Sequence, residues 1–227
     1  SQAAKLIASD GAHNDSFGIA VAIEGDYIVV GAHGDSDDGS YTGSAYLFKI
    51  NTDDDTVSQA AKLIASDGAG LDYFGYAVAM SGDYILVGSP LNDGSVEESG
   101  SVYLFKIDTD DDTASEEVKL TTNDGFKEDY FGISVAILGD HIVVGALADD
   151  DNGSESGSVY VFKIVSDESV SQIKKLTASD GAEDDEFGNS VAISGNYIVA
   201  GAPGDGDNSG SAYTIDLESE DRPYWEN

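Results

Sequence analysis

The 227-residue chain has no cysteine. Disulfides, thiolate metal sites and a cysteine nucleophile are therefore excluded, and an oxidising compartment is permitted without being indicated. No apolar run approaches the roughly 20 residues of a membrane-spanning helix. No N-terminal signal pattern is visible; numbering that starts at Ser1 is compatible with a removed leader. Basic residues are scarce, 10 Lys and Arg against 44 Asp and Glu, for a net charge of −34. Such a chain repels phosphate backbones and anionic lipid, so nucleic acid is not an expected partner and cations are. Histidine occurs only as His13, His33 and His141. There is no Gly-x-Ser-x-Gly elbow, phosphate loop or His-rich metal motif, so the expectation is a protein that is not an enzyme.

What is present is a repeat. Phe-Gly, a short apolar run, a Gly-Asp or Gly-Asn turn and a second apolar run ending in Gly begin at Phe17, Phe74, Phe131 and Phe187, spaced by 57, 57 and 56 residues. A fixed period with one unit per copy indicates a solenoid or a propeller. Each copy holds four strand-like runs, Gly18–Ile23, Tyr27–Ala32, Ser44–Ile50 and Gln59–Ala65 in the first, separated by Gly, Asp, Ser and Asn clusters. Gly25-Asp26 and its equivalents have the chemistry of a tight hairpin. In the first strand Phe17, Ile19, Val21 and Ile23 alternate with Gly18, Ala20 and Ala22. Both sides are apolar, so large side chains of one sheet are expected to lie over the small ones of its neighbour.

These residues resemble the FG-GAP repeats of the integrin α-subunit propeller and of many bacterial and algal surface proteins. Phe-Gly occurs in all four copies, and Gly-Ala-Pro in full at Gly201-Ala202-Pro203. The resemblance implies an all-β propeller at the cell surface or outside the cell. The calcium-binding repeats of that family carry an Asp-rich loop between the first and second strands. Here that link is only the short turn, so the family's calcium site does not carry over.

The outer strand also occurs four times, at Gln2–Ala8, Gln59–Ala65, Glu116–Thr122 and Gln172–Ala178, but the first precedes the first Phe-Gly and none follows Ser211–Leu217. The expected architecture is a single propeller over 1–217, with repeats at about 9–65, 66–122, 123–178 and 179–217 plus 1–8. Its four blades of four antiparallel strands would be closed by the N-terminal strand, which removes free sheet edges. An open piece of a larger propeller and two chains sharing an eight-bladed ring are the alternatives. The tail 218–227, with Arg222 and Trp225, fits no blade.

Strand direction gathers the long loop after the second strand and the loop before Phe-Gly on one face. Asp35-x-Asp37, Asp149-x-Asp151 and Asp205-x-Asp207 on that face are partial calcium-loop patterns. Asp35, Asp37, Asp149, Asp151, Asp205 and Asp207 are accordingly the expected ligands of a few weak calcium sites. On the other face Asn51-x-Asp53-x-Asp55 and Asp108-x-Asp110-x-Asp112 read as solvated turns, and Asp10-Gly11 and its repeats as Asx-type turns. Tyr46, Tyr103, Tyr160 and Tyr213 recur in phase and read as packing rather than as sugar platforms. The expected function is an extracellular binding or adhesion module with a protein or carbohydrate ligand and divalent cations. The alternatives are an acidic structural or mineral-associated protein and a lectin-like propeller.

Overall fold

A computed structural model describes residues 4–36, 40–166 and 169–218, without the Asp207 side chain. Four antiparallel sheets follow one another along the chain. The first is β1 (Val21–Glu24), β2 (Tyr27–Ala32), β3 (Ser44–Asn51) and β4 (Thr56–Leu63). The second is β5 (Ala77–Ser81), β6 (Tyr84–Ser89), β7 (Ser101–Asp108) and β8 (Thr113–Leu120). The third is β9 (Phe131–Leu138), β10 (His141–Ala146), β11 (Ser158–Ser166) and β12 (Ser169–Leu176). The fourth has three strands, β13 (Ser190–Ser194), β14 (Tyr197–Ala202) and β15 (Ser211–Asp216), with a one-turn helix α1 (Asp205–Asn208) between the last two. Neighbours in sequence are neighbours in each sheet, as in the blades of a propeller, and the sheets are called blades 1 to 4 below.

The hairpin turns form as the sequence indicates. Glu24 pairs with Tyr27, which leaves Gly25 and Asp26 as a two-residue turn. Gly25, Gly82, Gly139 and Gly195 all have φ between 54° and 58°, a conformation a β-carbon disfavours. The outer turns are closed by their own side chains. Asp53 N–H donates to Asn51 Oδ1 and Thr56 N–H to Asp54 Oδ1, and Asp110 and Thr113 repeat both bonds with Asp108 and Asp111. Those carboxylates close turns, and the outer strand consequently starts at Thr56 rather than Gln59.

Three of the hydrophobic cores lie between two blades each. Val29, Ala45 and Leu47 of blade 1 share a cluster with Ile85, Val87, Tyr103 and Phe105 of blade 2, and Ala22 packs there beside Val78 and Met80. Blades 2 and 3 repeat the arrangement with Ala79 beside Val135 and Ile137, and blades 3 and 4 with Ala136 beside Val191 and Ile193. Large residues of one blade do lie over alanines of its neighbour. The inner strands follow the order β1 on β5, β5 on β9, β9 on β13.

Glycine sets the spacing. A β-carbon on Gly31 would lie 2.0 Å from the carbonyl oxygen of Gly75, one on Gly88 2.1 Å from that of Gly132, and one on Gly145 1.9 Å from that of Gly188. The Gly ending the second strand of one blade thus meets the Gly of Phe-Gly in the next, backbone against backbone. Phe-Gly itself starts with a turn, since Ile19 N–H bonds Ser16 C=O. β1 begins at Val21 and not at Gly18, whereas β9, entered by the same turn at Tyr130–Ile133, begins at Phe131.

The N-terminal segment differs from expectation. Gln2 and Ala3 lie outside the described residues. Residues 4–8 form no strand, and Leu6 and Ala8 pack on Val30, Ala32, Tyr46 and Phe48 of blade 1. Among the described residues, blade 4 has no fourth strand beside β15. The segment obeys the local rule instead: Leu63 and Ala65, its equivalents at the end of blade 1, likewise sit in the core shared with the next blade. Apart from Glu218, the tail 218–227 lies outside the described residues.

Replacing Gly88 by alanine is expected to destabilise the protein by roughly 1–3 kcal/mol, the usual cost of overpacking. Urea unfolding of wild type and Gly88→Ala checks this; equal midpoints would show that the blades can separate without cost.

Candidate functional site

The loops that leave the second strand and those that enter Phe-Gly meet at one end of the blades. The loop into Phe-Gly is shaped by one aspartate per copy, two residues before the Phe. Ala12, Ala69, Phe126 and Ala182 N–H groups donate to Asp15, Asp72, Asp129 and Asp185 at 2.5, 2.7, 2.6 and 2.6 Å. All four carboxylates are buried. They point inward and are not part of an exposed acidic face. Burial, reinforced by Asp149 and Asp150, pushes the Asp129 carboxyl up to about 6 against the Phe126 N–H, which stabilises its anion. Burial likewise raises Asp72.

Deeper in each blade the in-phase tyrosine gathers a second set. Tyr46, Tyr103 and Tyr160 are fully buried, and each ring stands edge-on to the Phe of Phe-Gly, with Tyr213 repeating the contact on Phe187. The hydroxyl of Tyr46 donates to Asp35 at 2.6 Å and lies 3.0 Å from Asp10. Tyr160 does the same with Asp149 at 2.7 Å and Asp124 at 3.2 Å, and Tyr213 with Asp205 and Asp180, both at 2.9 Å. In blade 2 Tyr103 donates to Asp67 at 2.6 Å. There Asn92 takes the place of the second carboxylate, receives Ser101 Oγ–H and donates to Asp72.

A lysine of the outer strand completes each set in blades 1 to 3. Lys62 Nζ is 2.7 Å from Asp10 and 2.9 Å from Asp35. Lys119 is 2.6 Å from Asp67 and donates to the Asp93 carbonyl. Lys175 is within 2.9 Å of Asp124, Asp149 and Asp151. The electrostatics follow. Burial, then the adjacent carboxylates, push the Tyr46 and Tyr103 hydroxyls above the usual phenol range. The Lys62 hydrogen bond holds Asp10 below the usual carboxylate range. Burial opposes the same shift at Asp67 and Asp124, but Lys119 and Lys175 with the tyrosines outweigh it. Burial pulls Lys175 down, and its three carboxylates more than reverse that.

The expected metal ligands are therefore placed as follows. Asp35 and Asp149 are buried against a tyrosine and a lysine, and Asp151 shares Lys175. Asp205 opens α1 and accepts from Tyr213. Asp37 lies outside the described residues, as does the side chain of Asp207. Asp149 and Asp151 come together with Asp124; Asp35 and Asp205 belong to other blades. Among the described residues, no group of three or more His, Asp or Glu is arranged to hold a metal ion. The signal that reading by loops misses is the lysine. Lys5, Lys62, Lys119 and Lys175 recur in step with the tyrosines.

Carboxylates outside these sets remain on the surface. A hollow of about 430 Å³ between the loops of blades 2 and 3 is lined by Leu71, Tyr73, Tyr130, Asp93, Glu97, Glu98 and Glu128, among others. Leu71, Tyr73, Glu98, Glu128 and Tyr130 all have positive φ, between 54° and 76°, a costly conformation for such side chains. Lys127 pairs with Glu98 at 3.0 Å on the exposed rim. Beside it, the rings of His33, Tyr41, Tyr73 and Tyr76 cluster at 5.4–5.7 Å where blades 1 and 2 meet.

Repeated antiparallel sheets, three of four strands and one of three, packed face to face and presenting their loops at one end, are consistent with a propeller-like repeat fold. The FG-GAP repeat pattern matches residues 1–48, 57–105, 114–162 and 170–215, so the chain belongs to the FG-GAP repeat family. A comparison with curated proteins finds no match. Among the described residues no helix is long and apolar enough to cross a membrane.

The raised pKa of Asp129 has a definite sign. Its neutral form is favoured by folding, so the stability it contributes is complete below pH about 4 and lost as pH rises through about 6. Asp129→Asn keeps an acceptor for Phe126 N–H and removes the charge. The variant is expected to exceed wild type by up to about 3 kcal/mol at pH 7 and to match it at pH 4. Urea unfolding at both pH values checks this, and a constant difference would rule it out.

Proposed function

We propose that this protein is an extracellular, non-enzymatic binding or adhesion module that engages a cationic segment of a partner protein through the acidic hollow of blades 2 and 3. The observation that carries this reading is the division of the carboxylates. Of the buried ones, Asp35 and Asp149 are matched within their blades by a lysine and a tyrosine, and Asp15, Asp72, Asp129 and Asp185 by backbone N–H groups. Those at the hollow stand on strained loops around Tyr73 and Tyr130 with one exposed lysine among them. Aromatic rings beside an excess of carboxylates suit lysine and arginine side chains, which offer both charge and an apolar stem. An oligolysine peptide serves as the probe. Saturable binding at physiological salt, lost in Glu97→Lys/Glu98→Lys/Glu128→Lys with the circular dichroism spectrum unchanged, is the expected result. Equal binding by both proteins would overturn the reading and favour the acidic structural alternative, whose charge acts diffusely. The His33, Tyr41, Tyr73 and Tyr76 rings favour carbohydrate as the second class of ligand, which a glycan array tests.

Calcium belongs to this reading as a weak ligand, with dissociation constants on the order of 10⁻⁴–10⁻³ M. The reason is competition: Lys175 already pairs with Asp124, Asp149 and Asp151, so their charge is met without an ion. Lys175→Met is expected to lose roughly 3 kcal/mol, because Asp149 is then buried without its partner. It is also expected to regain stability with calcium, since an ion that binds only the folded state raises its melting temperature. Melting temperatures in calcium, magnesium and sodium at matched ionic strength decide the point. An equal response to all three, in variant and wild type, would reduce the effect to screening.

A further inference from the structure

Among the described residues, blades 1 and 4 each keep one face uncovered, and the repeat states what covers such a face. Val199 of blade 4 is 40% exposed and Tyr197 57%. Their equivalents Val29, Leu86 and Val143 are fully buried, and Tyr27 nearly so, by the following blade. On blade 1, Val21 and Ile23 are 67% and 63% exposed, whereas Met80 and Ile137, the equivalents of Ile23, are 9% and 8% exposed under the preceding blade. The glycine contact is unfinished at the same two places. Gly201 faces only Ser190, whose hydroxyl can turn away, and Gly18 has nothing within 4 Å of its would-be β-carbon. The lysine set is unfinished too. Tyr213, Asp180 and Asp205 have no outer-strand lysine among the described residues, while Lys5, in phase with Lys62, is exposed.

We propose that a second copy of this chain docks head to tail, so that blade 1 of each copy covers blade 4 of the other and the two close an eight-bladed ring. The segment around Lys5 of one copy becomes the fourth strand of the other's blade 4. Lys5 then lies between Asp180, Asp205 and Tyr213 as Lys62 lies between Asp10, Asp35 and Tyr46. Gly18 of one copy meets Gly201 of the other as Gly75 meets Gly31. The occupant is fixed by three complementary features: apolar face to apolar face, glycine to glycine, and a free ammonium to an acidic pair. Each continues an interface already present three times within the chain. The contact is remote from the acidic hollow, so loss of peptide binding and loss of association are separate results.

Sedimentation of the full chain is expected to give a two-chain particle. Gly201→Ala, whose β-carbon meets no backbone within its own copy closer than 3.9 Å, and Lys5→Glu should each weaken association about tenfold or more with an unchanged circular dichroism spectrum. A monomer at all concentrations, or an open ladder of larger species, overturns the ring. A cross-link gives an independent reading. Leu47 pairs with Ala61, so Thr214 and Ala4 are the matching positions, and the chain has no cysteine of its own. Ala4→Cys/Thr214→Cys should oxidise to a covalent dimer on non-reducing gels. A cross-link within one chain would mean that the N-terminal segment closes a four-bladed ring by itself, and no cross-link would mean that it does not reach blade 4; either result overturns the proposal.

Discussion

The contact on which this structure depends is backbone on backbone. Gly31, Gly88 and Gly145 each press against the glycine of the following Phe-Gly, closer than any β-carbon allows. Everything else between the blades is tuned to that separation. At this distance the side-chain layer has room for one large residue over one small one, which is why Ala22, Ala79 and Ala136 lie beneath Val and Ile or Met of the next blade. The phenylalanine of Phe-Gly is then carried inward against Phe105 or Phe162 and the edge of Tyr103 or Tyr160. The Phe-Gly motif is thus a spacer first, and its recurrence reports a steric limit rather than a ligand.

That limit also fixes where charge is tolerated. Tyr46, Tyr103 and Tyr160 are carried into the blade with their hydroxyls, and a buried hydroxyl requires a partner. Aspartates on two loops supply it, and a lysine on the outer strand compensates their charge. The same three-part set ties the innermost loops to the outermost strand of the blade. It forms where three segments distant in sequence converge, about 36 residues between Asp10 and Tyr46 and 16 between Tyr46 and Lys62. Such a set holds the loop end rigid while leaving the tips free to display other carboxylates.

The all-β class, the four sheets and the hairpin turns are legible in the sequence because each rests on local chemistry: alternation, Gly-Asp, and a period of about 57 residues. The inward orientation of Asp15, Asp72, Asp129 and Asp185 is not legible, since an aspartate that closes a turn and one that waits for calcium look alike in a list of acids. Asp35 and Asp149 mislead for the same reason. Their partner lysines lie 26 to 27 residues downstream, on a strand read as plain outer packing. The hidden information was in phase rather than in composition. A net charge of −34 draws attention to acids, whereas the few lysines that recur with the repeat show which acids are already engaged.

A repeat in which each unit is completed by its neighbour has no natural end. Within the chain every interior blade receives a glycine contact and an apolar face from the blades beside it, and a lysine from its own outer strand. At blade 4 the acidic pair around Tyr213 repeats while its lysine does not, and at Lys5 the reverse holds. Gly201 is informative because no backbone within its own copy crowds it and its φ is not positive; alanine would suit a strand there better than glycine does. A residue whose local cost is met by nothing local implies a contact elsewhere. The same reasoning that derives the interior interfaces from Gly31 and Gly75 therefore extends past the last blade, and it specifies the chemistry of what docks there: a glycine, a lysine and an apolar sheet face, in that register.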